Sequence, residues 1–161
     1  MKWPVGLGGK GNEQVAANVR QLPGSIGYVE LIYALQNNIP FAALKNKSGN
    51  WIKASLASTS AAANVPVPAD VTTLSLTDSG VAQAYPISTF TWLILFKEQH
   101  YGNNTKDKSE ALLKMIWWMT HDGQKFAEPM AYATLPAPVV KKAEEILKSI
   151  TWDGKPILSG M

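Results

Sequence analysis

An α/β fold is predicted for this 161-residue chain on three observations. Apolar residues recur at helical spacing in several segments, most clearly at Val139, Val140, Ala143, Ile146, Leu147 and Ile150. Between such segments lie short apolar runs, above all residues 87–96 (ISTFTWLILF), β-branched and aromatic as a strand covered on both faces is. Apolar residues make up 46% of the chain and charged residues 17%, the balance of a folded protein with a core.

The elements follow in order. Asn12 has the side chain of a helix N-cap, since its oxygen can accept a backbone N–H of the first turn. Val15, Ala16 and Val19 then fall on one helical face, and Pro23-Gly24 stops the helix. Residues 25–29 read as a short buried strand. Residues 30–37 read as a second helix, closed by Asn37-Asn38 and Pro40. Residues 41–46 and 51–53 make a hairpin across Lys47-Ser48-Gly49-Asn50. Residues 54–69, rich in Ala, Ser, Val and Pro, are either a linker or surface structure within a domain; Leu74, Leu76 and Val81 beyond them favour the second. Within that stretch, residues 55–63 suit a weak helix, and the prolines keep residues 65–68 extended.

Residues 87–96 are the predicted central strand. A long helix over residues 109–120 follows, with Asp107 and Glu110 spaced as a capping box. Leu112, Leu113, Met115, Ile116, Trp117, Trp118 and Met119 surround most of its circumference, and a helix apolar nearly all round is buried or expects a partner. Gly123 breaks it, and residues 124–130 restart as a short helix. The last helix begins after residues 134–138, with Lys141-Lys142 and Glu144-Glu145 on its wet face. Residues 152–156 form a closing turn. No internal repeat is present.

Formal net charge is +3. Residues 1–83 carry 6 basic and 4 acidic side chains, and residues 84–161 carry 9 and 8, so no block has the footprint of a nucleic-acid binder. The absence of cysteine removes disulfides, thiolate catalysis and Cys-ligated zinc. No run reaches the roughly 18 apolar residues of a membrane span. Met1-Lys2-Trp3-Pro4 has no apolar signal-peptide core.

Gly6, Gly8, Gly9 and Gly11 precede the first helix with Lys10 among them. Backbone N–H groups and the helix dipole can hold an anion at such a place. The closing Lys-Ser/Thr of a phosphate-binding P-loop is missing, so a structural turn is the favoured reading. His100 and His121 lie on different elements with no Asp-Ser pattern beside them, and His121 suits a partner for a helix C-terminus. Asp107, Glu110, Asp122, Glu144 and Glu145 read as solvated helix charges, with no two carboxylates paired for acid–base work. Trp117-Trp118 on an apolar helix reads as core before it reads as a sugar platform. No catalytic set, metal site or cofactor site is predicted.

Residues 3–12 (WPVGLGGKGN), 21–30 (QLPGSIGYVE), 33–38 (YALQNN), 84–96 (AYPISTFTWLILF), 132–140 (YATLPAPVV) and 153–156 (DGKP), with the long helix and Gly123, together resemble the periplasmic phosphate-binding proteins of bacterial phosphate ABC transporters. The resemblance extends over nearly the whole chain and is weakest over residues 52–79. It covers only the C-terminal half of that family's chain. It implies an incomplete type II periplasmic-binding-protein fold, with residues 1–83 the later part of the second lobe and residues 84–161 the return into the first. It implies a periplasmic or extracellular receptor that hands phosphate to an ABC permease.

The family's direct phosphate contacts come from earlier segments, including an Arg and a Ser-Gly-Thr at a helix N-terminus. No Ser-Gly-Thr occurs here, and the single arginine, Arg20, lies inside the first helix where the family has no ligand. The resemblance therefore implies that phosphate binds only in the completed fold. Gly9, Lys10, Gly11 and Asn12 remain as cleft-side candidates. A half-fold leaves apolar faces to cover, so a complementary N-terminal half in a separate chain is expected, with self-association second. Trp92, Leu93, Leu95, Trp117 and Trp118, or the first helix and residues 15–29, are the expected contacts.

Overall fold

The protein is described here by a computed structural model covering residues 4–158. Met1, Lys2 and Trp3, the last of which opens the first matched stretch, lie outside the described residues. Helix α1 (Gly11–Gln21) starts one residue before Asn12, with Lys10 at the N-cap and no side-chain cap. Asn12 is thus not the cap: the chain enters the helix through Gly11 at φ +76°, and the Lys10 N–H is accepted by Gln14 Oε1 at 2.9 Å. Pro23-Gly24 ends the helix as predicted, with Gly24 at φ +76°.

The expected strand over residues 25–29 does not form. No neighbouring strand offers it a ladder, and Ile26 and Tyr28 point into solvent at 93% and 86% exposure. Helix α2 (Leu31–Gln36) follows, then the hairpin of β1 (Ala43–Lys45) and β2 (Trp51–Lys53), antiparallel with Leu44 opposite Ile52. Asn46 closes that hairpin from within. It is buried, accepts the Asn50 N–H at 3.0 Å, and donates its amide to the carbonyls of Ala82 and Ala84. Helix α3 (Leu56–Ala62) has a full capping box from Ser55 and Ser58, which is why a sequence of middling helix propensity is helical here. Around it Ala62, Ala63, Leu76 and Ala84 form a buried cluster, with Val65, Val81 and Phe90 packed on it.

Residues 87–96 are not a strand, and they are not dry. Ile94 is 97% exposed, and Ile87, Trp92, Leu93 and Phe96 are exposed as well. A strand buried on both faces needs neighbours in its own sheet, and the sheets among the described residues are two-stranded antiparallel hairpins lying elsewhere. Pairing begins only past the run. The Gln99 N–H donates to Thr151 O, and the Thr151 N–H donates to Lys97 O, both at 2.8 Å. There the chain meets β3 (Thr151–Trp152), which returns through Asp153 and Gly154, both at positive φ, into β4 (Lys155–Pro156). This is the predicted closing turn.

Helix α4 (Lys106–Thr120) starts three residues earlier than predicted. Thr105 is its N-cap, accepting the Lys108 N–H, so the Asp107–Glu110 capping box is not used. Thr105 is extended and has a hydroxyl in reach, which leaves Asp107 as a first-turn acid and Glu110 beside Lys114 at 3.8 Å. Only one face of α4 is buried, through Ser109, Leu113 and Ile116, while Met115, Trp118 and Met119 are exposed. Gly123 breaks the helix as predicted, since a Cβ there would lie 2.9 Å from the Trp118 carbonyl oxygen. Residues 124–130 fall in two 3-10 turns, Asp122–Phe126 and Glu128–Met130, rather than an α-helix. Helix α5 (Ala137–Lys148) carries Pro138 in its first turn, where no backbone donor is needed. Leu113, Ile116, Leu147, Ile150 and Leu158 make the second buried cluster, against which Leu95, Leu112, Trp117 and Ile157 pack.

Candidate functional site

The glycine loop is held by its own chain. A Cβ on Gly9 would lie 2.9 Å from both the Val15 backbone N and its Cγ2, and one on Gly11 would meet Glu13 Oε2 at 2.9 Å. Gly9, Lys10, Gly11 and Asn12 are therefore brought together as a tight entry to α1. Asn12 turns away from the helix and forms a reciprocal pair with Glu30. The Glu30 N–H donates to Asn12 Oδ1 at 3.0 Å, and Asn12 Nδ2 donates to Glu30 Oε1 at 3.3 Å.

Glu30 is the centre of a polar cluster. Its other oxygen, Oε2, accepts the hydroxyl of Tyr132. The adjacent Tyr33 hydroxyl donates to Glu13 Oε1 at 3.0 Å. The hydrogen bond to Glu30 pushes the Tyr132 phenol up to about 12, with burial and the charge of Glu30 adding to it. The bond to Glu13 likewise raises Tyr33. Both phenols stay protonated donors at neutral pH, and both donate to carboxylates. Two acidic side chains beside the α1 N-terminus compete with any external anion for that positive end. The local chemistry is that of a satisfied structural cluster.

Beside this cluster runs a shallow open groove lined by Leu31, Ile32, Leu35, Leu56, Pro129 and Ala131. It is apolar, drawn from α2, α3 and the turn after α4. Neither Glu30 nor Tyr132 was marked by the sequence as a pair. Glu30 stands at a helix start and Tyr132 in a loop, and no local spacing connects residues 102 apart.

The association candidates divide. Trp92, Leu93 and Trp118 are exposed. Leu95 and Trp117 pack against the second cluster. Trp117 stacks on the His121 ring, 4.5 Å away, and Lys148 Nζ lies 5.3 Å from its centroid. His121 closes α4 as its sequence position suggested, with Nδ1 at 2.7 Å from the Trp117 carbonyl. Its Nε2 lies 3.2 Å from Glu144 Oε1, so half-buried Glu144 is a partner of His121 and not a free solvated charge. Exposed His100 stacks on Trp152 and sits 2.6 Å from Asp153 Oδ1. Among the described residues no group of acidic and histidine side chains is arranged to hold a metal, and no helix is long and apolar enough to cross a membrane.

No family model matches the chain. It is similar to the phosphate-binding protein PstS of Xylella fastidiosa strain 9a5c, at 39% identity over 148 residues, which covers 89% of this chain and 39% of that protein. PstS of Pasteurella multocida is 36% identical over 146 residues, covering 89% and 41%. PstS of Methanocaldococcus jannaschii is 32% identical over 156 residues, covering 88% and 40%. The chain spans about two-fifths of the length of these curated relatives.

Proposed function

We propose that this chain, homologous to the PstS phosphate-binding proteins over 89% of its length, is a portion of a phosphate receptor that serves an ABC transporter. One observation carries the reading: identity runs through nearly all of this chain while accounting for about two-fifths of each relative. The homology points to a binding protein and not to an enzyme. In the completed fold phosphate is held in a cleft by residues other than those of the glycine loop. The receptor is periplasmic and delivers to the permease.

Residues 1–83 complete one lobe and residues 84–161 return to the other. In support, the two buried clusters divide along the chain near that border, one drawing on residues 62–90 and the other on residues 95–158. The remaining part of the receptor, as a complementary N-terminal segment, is the partner that covers Trp92, Leu93 and Trp118. Self-association is the second reading, favoured by the exposure of those same side chains, and it makes the chain an assembly module.

Calorimetric titration with inorganic phosphate tests the proposal. The 161 residues alone should give no binding heat. Mixed with the N-terminal segment of a PstS relative, they should bind one phosphate. Micromolar or tighter 1:1 binding by the chain alone would show that its own residues form the site. Stable homodimers that ignore the added segment would favour the assembly module.

A further inference from the structure

The Tyr132 hydroxyl donates to the Glu30 carboxylate across two distant parts of the chain. Apart from bonds to residues 84–86, next to the proposed border, it is the hydrogen bond among the described residues that joins residues 4–83 to the rest of the chain. The first buried cluster takes in Ala84 and Phe90, so its portion of the chain runs to residue 90, while the second cluster and the histidine ion pairs lie within residues 95–158. The covalent connection between the two portions is the exposed stretch 91–94. Without fasteners, portions joined this way move relative to one another.

We propose that Glu30 and Tyr132 form a clasp that fixes the α1–α2 unit against the body of α4 and α5. Asn12 is the positioning residue. Its oxygen accepts the Glu30 backbone N–H and its amide donates to Glu30 Oε1, which leaves Oε2 turned to the phenol. The apolar groove beside the clasp, with Leu31, Ile32 and Leu35 on one wall and Pro129 and Ala131 on the other, is the seam that it closes. An open seam of that kind has few contacts to resist shear, so the directional bond at its end sets the relative placement. The raised Tyr132 phenol keeps the donor in place through neutral and mildly alkaline pH. The clasp acts on the motion of this chain and does not depend on phosphate.

The chain has no cysteine, so paired labels can be placed without background. Gln21→Cys at the end of α1 and Lys141→Cys on α5 are both exposed and carry spin labels. Pulsed electron paramagnetic resonance then reads the distance distribution between them. The parent should give one narrow distribution. Tyr132→Phe keeps the ring and removes only the hydroxyl, and should broaden the distribution about twofold, as expected for portions freed to move. Glu30→Ala, which also frees Asn12, should broaden it at least as much, and adding Tyr132→Phe to Glu30→Ala should add nothing, because the bond across the seam is already gone. Asn12→Ala should give an intermediate width. A distribution unchanged in either single variant with native far-ultraviolet circular dichroism overturns the clasp, as does additivity. If both variants lose their helical signal, the bond supports the fold itself and the proposal also fails.

Discussion

A methyl group at Gly9 would meet the Val15 backbone and side chain at 2.9 Å, and the backbone nitrogen cannot swing aside. Gly9→Ala is expected to cost about 1–3 kcal/mol, in the range of overpacking, read by chemical denaturation. Glu98 contributes through electrostatics. The backbone N–H of His100, then that of Gly154, the Thr151 hydroxyl and the Asp153 N–H donate to it, and they lower its carboxyl from 4.5 to about 2. A depressed folded value means that its contribution is present above the unfolded value and fades as pH falls through the folded one. Glu98→Gln should therefore melt below the parent at neutral pH. The gap between the two melting temperatures should close as pH drops from 4.5 through about 2. A constant gap would contradict the assignment. At this scale the sequence was informative where the cause is local: Pro23-Gly24, Gly123, and His121 at the end of α4. It was silent on Glu30 with Tyr132 and misplaced the role of Asn12, because those side chains answer to partners far along the chain.

Elements were legible in proportion to their self-sufficiency. Helices α1, α3 and α5 and the hairpin of β1 and β2 are specified by nearby turns, periodic anchors and, for α3, a capping box, and each stands where it was predicted within a few residues. The run 87–96 failed because a buried strand is defined by its neighbours, and the pattern of its side chains cannot supply them. Two substitutions separate burial from mere apolarity. Leu113, wholly buried in α4, should lose about 2–5 kcal/mol on change to Ala, as large-to-small core changes do. Ile94→Asp, at a side chain almost fully in water, should change stability by about 0.5 kcal/mol or less. Thermal and urea unfolding of both variants decides it, and a large loss for Ile94→Asp would mean that the run is covered in solution.

At the scale of the whole molecule, two small cores share one chain, and much apolar surface faces outward. Trp92, Leu93, Ile94, Phe96, Met115, Trp118 and Met119 are exposed within residues 92–119. Burying a patch of this kind in a specific interface typically removes about 1,000 Å² or more from water. Light scattering should therefore report a species heavier than the 17.5 kDa chain, or one that becomes so when the complementary segment is added. Acrylamide quenching should then fall as Trp92 and Trp118 are covered. A monomer that keeps both accessible after mixing would count against the receptor reading. The candidate site was legible only in outline. The glycine loop was seen and read as a turn, while the cluster that satisfies its surroundings comes from a residue over a hundred positions away.

The same exposed run is also a weak point under attack by a protease. Phe90 is anchored to one cluster and Leu95 to the other, which leaves residues 91–94 with no core to hold them. Trp92 and Leu93 offer the side chains that chymotrypsin selects, on backbone that can be drawn into an active-site cleft without unfolding either side. Limited digestion followed by mass spectrometry should show first cleavage there. Because each fragment retains its own cluster, both should persist after the nick and separate only slowly, so that a single cut yields two durable pieces instead of a shower of peptides.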